Sequence, residues 1–193
     1  MTPKSPSRQL RIIAGDWRGR RMPVPDLPGL RPTGDRVRET LFNWLDPVIK
    51  GAKVLDLFAG SGALGLEALS RQARSAVFVE HSGEALDGLR ATTEAWPGIE
   101  KARFIHQDAM AWLSGPSEAF EIVFIDPPFD RQWQGHILEM LIKNDWVAPN
   151  GLIYVESPKN QVLRADQMPR NLVVAKEKTV GQVQLLLVRY HTG

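Results

Sequence analysis

The 193-residue sequence predicts an α/β protein: a doubly wound, mostly parallel sheet with an antiparallel hairpin at its C-terminal end and a small β-hairpin ahead of it. Three observations carry that expectation. Apolar strand-like runs alternate with helical runs from residue 53 onward, the signature of a parallel sheet covered on both faces. The first run, Val54-Leu55-Asp56-Leu57-Phe58, breaks into Ala59-Gly60-Ser61-Gly62 and resumes as a helix at Ala63. Strand, glycine turn and helix together make a nucleotide-type cofactor site, because glycine lets the backbone approach a ligand and a helix N-terminus offers unpaired N–H groups. Finally, four acids mark four successive strands, Asp56 just before the end of the first and then Glu80, Asp108 and Asp126, and the carboxyl ends of neighbouring parallel strands line one crevice.

The elements follow in order. Residues 1–7, with Pro3, Ser5, Pro6 and Ser7, are expected to be disordered. Residues 8–14 have strand character, Gly15-Asp16-Trp17-Arg18-Gly19 is turn-rich, and Arg20 to Val24 returns as a second strand, which predicts a hairpin with a basic tip. Residues 25–32 read as an irregular linker, and Thr33 is placed to cap the next helix. Val37, Leu41, Trp44, Leu45 and Val48 recur at helical spacing, so one face of that helix packs on the body. Arg36 and Arg38 in its first turn oppose the helix dipole, a cost that a nearby anion would offset. Beyond the glycine turn come a helix at 63–71, a strand at 75–80, a helix at 82–95, a strand at 103–107 and a short helix through Trp112. A strand at 120–125, a helix at 131–143 and a strand at 152–155 follow. Leu172–Thr179 and Val183–Tyr190, joined at Gly181-Gln182, complete an antiparallel pair. The chain divides into a basic arm with its linker, 1–33, and a main domain, 34–193.

Composition limits the chemistry. The chain has no cysteine and four scattered histidines, which excludes disulfides, thiolate metal sites and a cysteine nucleophile and predicts no metal. No signal core or transmembrane run is evident, so a cytoplasmic protein, and a monomer, is the expectation. The net charge is only +2, yet residues 1–38 carry +6 and residues 39–193 carry −4. A basic arm on a mildly acidic body suggests an anionic partner at one edge, with nucleic acid the first candidate and a solvated tail the alternative. Within the arm, Arg11, Arg18, Arg20 and Arg21 surround Trp17. A tryptophan so placed can stack on a base while the arginines hold phosphates; the alternative is that Trp17 anchors the hairpin to the body.

Gly60-Ser61-Gly62-Ala63-Leu64-Gly65 also fits the dinucleotide fingerprint, with Glu80 about twenty residues on, so a dehydrogenase is a competitor. Asp56, inside the strand that feeds the loop, suits a cationic or amine-bearing ligand better than a pyrophosphate, and no second substrate domain is evident. The fourth strand moreover ends in Asp126-Pro127-Pro128-Phe129. Two prolines hold the chain extended and donate no hydrogen bond. The Asp126 carboxyl and the Pro127 carbonyl can then both accept from one planar amine while Phe129 stacks on the ring that bears it. Accepting hydrogen bonds from the amine draws electron density onto its nitrogen as it moves toward tetrahedral geometry, an effect that belongs to the transition state, as catalysis requires.

With these residues in view, VLDLFAGSGALG and IDPPF resemble the class I S-adenosylmethionine-dependent amino-methyltransferases, with their Rossmann-like fold. RIIAGDWRGRRM at 11–22 and LRPTGDRVRETLFNWL at 30–45 narrow the resemblance to the bacterial RsmD-type 16S rRNA guanine-N2 methyltransferases, over roughly residues 8–190. The resemblance implies that Asp56, Phe58, Gly60 and Gly62 surround the amino-acid end of S-adenosylmethionine and that Glu80 accepts from its ribose. It implies that Asp108 and Ala109 meet the adenine, that Arg31, Pro32 and Thr33 close over the methionine part, and that Asp126 borders the cofactor. Asp126, Pro127 and Phe129 would hold a flipped guanine, Arg11, Trp17, Arg18, Arg20 and Arg21 would grip 16S rRNA in the 30S subunit or an assembly intermediate, and no metal would take part. The alternatives are an amino-methyltransferase acting on adenine N6 or on a protein glutamine, and a non-catalytic RNA-binding module.

Overall fold

The computed structural model describes residues 9–24, 34–127 and 133–192. Strands β1 (Gln9–Arg11) and β2 (Arg21–Pro23) form an antiparallel hairpin. Helix α1 (Asp35–Ile49) leads to β3 (Lys53–Asp56), α2 (Ala63–Ser70), β4 (Ser75–Glu80), α3 (Gly83–Thr93), β5 (Ala102–His106), α4 (Ala109–Leu113) and β6 (Phe120–Ile125). The chain continues through α5 (Gln134–Lys143), β7 (Val147–Pro158), β8 (Leu172–Val180) and β9 (Val183–Tyr190).

The seven-stranded sheet runs β5-β4-β3-β6-β7-β9-β8. The first five pair in parallel, and β9 is antiparallel to both β7 and β8. The order reverses between β3 and β6, which makes that gap the switch point where an open α/β sheet binds its ligand. Side chains alternate across the sheet. Val54, Phe78, Phe124, Tyr154 and Leu187 face a core shared with α1 and α2, whereas Leu55, Val77, Val123, Val155 and Leu186 face α4 and α5. Among the described residues no helix is long and apolar enough to cross a membrane.

Several expectations shift. Residues 1–7, the 25–32 linker, Thr33 and residues 131–132 lie outside the described residues. The N-cap of α1 is Gly34 rather than Thr33: Gly34 is extended, and its carbonyl accepts from Val37 N and Arg38 N at 3.0 Å. The fifth parallel strand is longer than 152–155 because a register shift opposite Phe120 and Ile122 lets the chain pair on both sides of Gly151.

The hairpin is bound to the body by its backbone. Leu10, Ile12, Trp17, Met22 and Val24 belong to the same core as α1 and α2. Ile13 N and Ala14 N donate to the Glu67 carboxylate at 2.8 and 3.1 Å, and Trp17 N donates to Ser70 Oγ at 2.9 Å. Gly15 has φ +83°, and a Cβ there would lie 1.9 Å from Ser70 O, so only glycine fits. Arg38, expected near an anion or in solvent, is fully enclosed and sits between Asp35 and Glu67. Its anion is therefore a protein carboxylate.

Candidate active site

The strand registers build the site. Phe78, Asp56, Phe124 and Tyr154 are neighbours across β4, β3, β6 and β7. They form one transverse row on the α2 side of the sheet. Two residues farther along each strand the same face recurs, and there stand Glu80, Asp126 and Glu156. Carboxylates therefore line the C-terminal rim of the sheet on both sides of the switch point.

The glycine turn lies against this rim. Gly60 and Gly62 have φ +51° and +75°, values that an L side chain adopts at a cost. Gly62 N donates to Ala59 O at 2.7 Å, and Ala59 N donates to Val79 O at 3.0 Å. Three of the four expected acids brace adjoining backbone. Asp56 Oδ2 accepts from Gly65 N at 2.9 Å, in the first turn of α2. Glu80 accepts from Gly60 N and Ser82 N, each at 2.8 Å, with His81 Nδ1 also 2.8 Å away. Asp108 caps α4, its Oδ1 accepting from Met110 N and Ala111 N. Capping and ligand binding are thus compatible here, since each carboxylate oxygen has two acceptor positions. Ala109 is buried behind Asp108, and Phe58 is half-buried against the α4–α5 core.

Charge crowding marks the centre. Asp56 is 3% exposed, and burial pushes its pKa up to about 7 against the pull of the Gly65 N–H; Asp126 and Glu80 add repulsion. Asp126 is half-buried and Pro127 is buried, whereas Pro128, Phe129, Arg31 and Pro32 lie outside the described residues. A further acid, Glu156 within β7, is not among the sequence candidates, although it follows Val155 just as Asp126 follows Ile125. It is 4% exposed and accepts from Tyr154 Oη at 2.9 Å. Among the described residues no cluster of His, Cys, Asp or Glu could hold a metal ion.

The arm meets this site from one side. Met22 and Pro23 of β2, Ser61 of the glycine turn and Glu84, Ala85 and Leu89 of α3 enclose a cleft of about 240 Å³. Arg11, Arg18 and Arg21 are exposed, and Arg20 is half-buried with its guanidinium 5.2 Å from the Trp96 ring centre. Arg11 and Arg21 are direct cross-strand partners, a like-charge pairing that is unfavourable without an anion. Trp17 corrects the reading of the arm. It is 4% exposed, packs edge-on to Trp96 at 5.2 Å and donates from Nε1 to Pro97 O at 2.8 Å. A ring enclosed and hydrogen-bonded in this way is unavailable to a base, so it anchors the hairpin.

The arrangement suits a cationic cofactor. A rim of carboxylates attracts a sulfonium or an ammonium and repels a pyrophosphate, and a half-exposed acid remains beside the glycine turn to engage a second molecule.

Comparison with known proteins agrees. The family model described as "Conserved hypothetical protein 95" matches residues 10–189. Ribosomal RNA small subunit methyltransferase D of Escherichia coli (strain K12) is 50% identical over 183 residues, 93% of this chain and 89% of that protein. The Haemophilus influenzae protein of the same name is 45% identical, covering 93% of each chain. A solved structure described as a putative methyltransferase yhhF from Escherichia coli superposes with a TM-score of 0.84 at 45% identity, covering 95% of this chain and 99% of that one. With the model match and these identities spanning nearly the full length, the chain belongs to the Conserved hypothetical protein 95 family and is a methyltransferase.

Proposed function

We propose that the protein transfers a methyl group from S-adenosylmethionine to the exocyclic N2 amine of a guanine in 16S ribosomal RNA. The observation that carries this reading is the placement of Asp126-Pro127 at the end of β6, next to the strand β3 that feeds the glycine turn, on an anionic rim. The relatives' names supply the small-subunit RNA, and the basic hairpin is the surface suited to hold it.

The cofactor, when bound, supplies a methyl group on a sulfonium, electrophilic without metal or acid assistance. The chain's own residues bind and orient. Asp56, Phe58, Gly60 and Gly62 would enclose the amino-acid end, with Arg31 and Thr33 closing over it. Glu80 would accept from the ribose hydroxyls with the acceptor positions that Gly60 N and Ser82 N leave, and Asp108 and Ala109 would meet the adenine. Asp126 and the Pro127 carbonyl would accept from the guanine N2 hydrogens while Phe129 stacks on the flipped base. As nitrogen forms its bond to the methyl carbon it gains positive charge, so the Asp126 carboxylate holds it more tightly in the transition state than before. That carboxylate then stands ready for the proton that the methylated amine releases. Orientation supplies much of the remaining acceleration.

The deciding experiment incubates purified small subunits and naked 16S RNA with labelled S-adenosylmethionine, then maps the modified base. N2-methylguanine at a single position is expected; label on adenine N6 or on protein would redirect the reading. Two substitutions test the roles. Glu80→Gln removes a charge-assisted acceptor worth roughly 1.5 kcal/mol, so the Kd for S-adenosylmethionine in calorimetry should rise about tenfold; an unaltered Kd rejects the ribose contact. Replacing Arg18, Arg20 and Arg21 together by Ala should weaken RNA binding and flatten the slope of log K against log salt by about two to three. Retained affinity with an unchanged slope would leave the hairpin with a structural role only.

A further inference from the structure

Glu156 is the rim acid that the proposed chemistry leaves unused. Phe124 pairs with Tyr154 and Ile125 with Val155, so Asp126, the first residue beyond β6, comes alongside Glu156, which is still paired within β7. The Phe124 and Tyr154 rings touch, with centroids 6.3 Å apart, which fixes the shared face; two residues on, Asp126 and Glu156 return to it. Behind Glu156 the Tyr154 hydroxyl, itself fully enclosed, donates to Oε2 at 2.9 Å. Across the ladder on β9 its partner is the apolar Leu185. Among the described residues, the titratable groups bearing on Glu156 are Asp126 from β6 and Tyr154 from its own strand.

We propose that Glu156 is a positioning residue of the methyl-transfer site: held from behind by Tyr154, it braces the Asp126 carboxyl in the orientation that receives the target amine. This role rests on the functional reading above. Two adjacent carboxyls, one almost enclosed, do not both ionise. Asp126 is half-exposed, so water supports its ionised form better than that of the enclosed Glu156. Glu156 keeps the proton, its pKa pushed up to about 9 by burial and then by the Asp126 charge, against the Tyr154 hydrogen bond. A neutral Glu156 has one O–H to give and an acceptor position taken by Tyr154. It can steady a carboxylate beside it without competing for the cation that Asp126 faces.

The test compares the full-length wild type with Glu156→Gln and Glu156→Leu. Single-turnover methyl transfer to subunit RNA, the Kd for S-adenosylmethionine and thermal unfolding between pH 5 and 9 are read for each. Glutamine presents the same neutral donor and acceptor, so Glu156→Gln should retain most of the transfer rate. Glu156→Leu fills the space without the donor and should slow transfer by up to about 100-fold, the scale of a small misplacement at a reacting centre, with the Kd unchanged. The folded-state pKa of Glu156 lies above its ordinary 4.5, so its protonation favours the fold at low pH and that stability is lost as pH rises from about 4.5 toward 9. Glutamine does not titrate, and Asp56 titrates in both proteins. The Tm of Glu156→Gln should therefore gain on wild type as pH increases.

A leucine variant as fast as wild type overturns the role, as does a glutamine variant as slow as the leucine one. So does a leucine variant that loses cofactor affinity in proportion to rate, and so does a Tm difference that is flat with pH. Wild type inactive on RNA would overturn the functional reading itself, whereas active wild type with an unaffected leucine variant overturns only the role of Glu156.

Discussion

Asp126→Ala is expected to lower kcat by about 10²–10³-fold, the usual consequence of losing one preorganised partner of transition-state charge, while the Kd for S-adenosylmethionine changes little. Asp126 follows the last residue of β6, across the switch point from Asp56 and the glycine turn. It is half-exposed where Asp56, Glu80 and Glu156 are nearly enclosed, so of the acids beside the β3–β6 switch point it is the one within reach of an incoming molecule. Its charge also presses on its neighbours, contributing to the raised pKa values of Asp56, Tyr154 and Glu156. Removing it relaxes that repulsion, and the variant should melt no lower than wild type above neutral pH. Stability kept with turnover lost is the pattern of a catalytic residue. Asp126→Asn keeps an acceptor oxygen without the charge, and its rate should fall between those of wild type and the alanine variant. Rapid-quench measurement on subunit RNA reads the rate, and turnover equal to wild type in the alanine variant would sink the assigned role.

Glu67→Ala should have the largest effect on stability, a loss of about 3–5 kcal/mol, because it strands a buried charge. In a protein of this size that is a fall in Tm on the order of 10 °C. Arg38 is fully enclosed. Its Nη2 donates to Arg11 O at 2.9 Å and to Asp35 Oδ1 at 2.6 Å. Its Nε and Nη1 have no hydrogen-bond partner, and Nη1 lies 3.7 Å from Glu67 Oε2. The Glu67 charge is thus what compensates the inner half of the guanidinium. The same carboxylate accepts from Ile13 N, Ala14 N and Arg71 Nε. Its loss would unpair two hairpin amides as well, each costing about 1–3 kcal/mol if left buried. Urea denaturation should show the loss, and limited proteolysis should show early cleavage near residues 9–24. The double variant Arg38→Met/Glu67→Leu removes the stranded charge and should recover part of it. A loss under about 1 kcal/mol in the single variant, the value of an exposed ion pair, would reject the clamp.

Trp17 and Arg38 explain why part of the site was not legible in the chain. In the sequence Trp17 is a tryptophan among four arginines, and composition alone favours a base-stacking role. Its actual partners, Trp96 and Pro97, lie eighty residues away, and nothing local announces them. As Trp17→Ala would cost about 3–5 kcal/mol of core stability, that substitution would weaken RNA binding whatever the ring touched. Arg38 was read against its own helix dipole, yet the anion that matters, Glu67, is on a different helix. Glu156 differs from both. The pattern of an acid after an apolar strand run that singled out Asp126 applies equally to Glu156, but no Pro-Pro pair follows Glu156 directly to draw notice.

The sequence alone determined the order of strands and helices, because the change from period-two to helical spacing is written locally. It also determined the glycine turn and the rule that acids end the parallel strands. Tertiary structure decided which of those acids do what. Side-chain environment depends on register between strands distant in the chain: only when β6 lies between β3 and β7 do Asp56, Asp126 and Glu156 crowd together and bury to different depths. The same long-range packing turned Trp17 from a surface ring into an anchor, since burial is set by partners that no window of sequence contains.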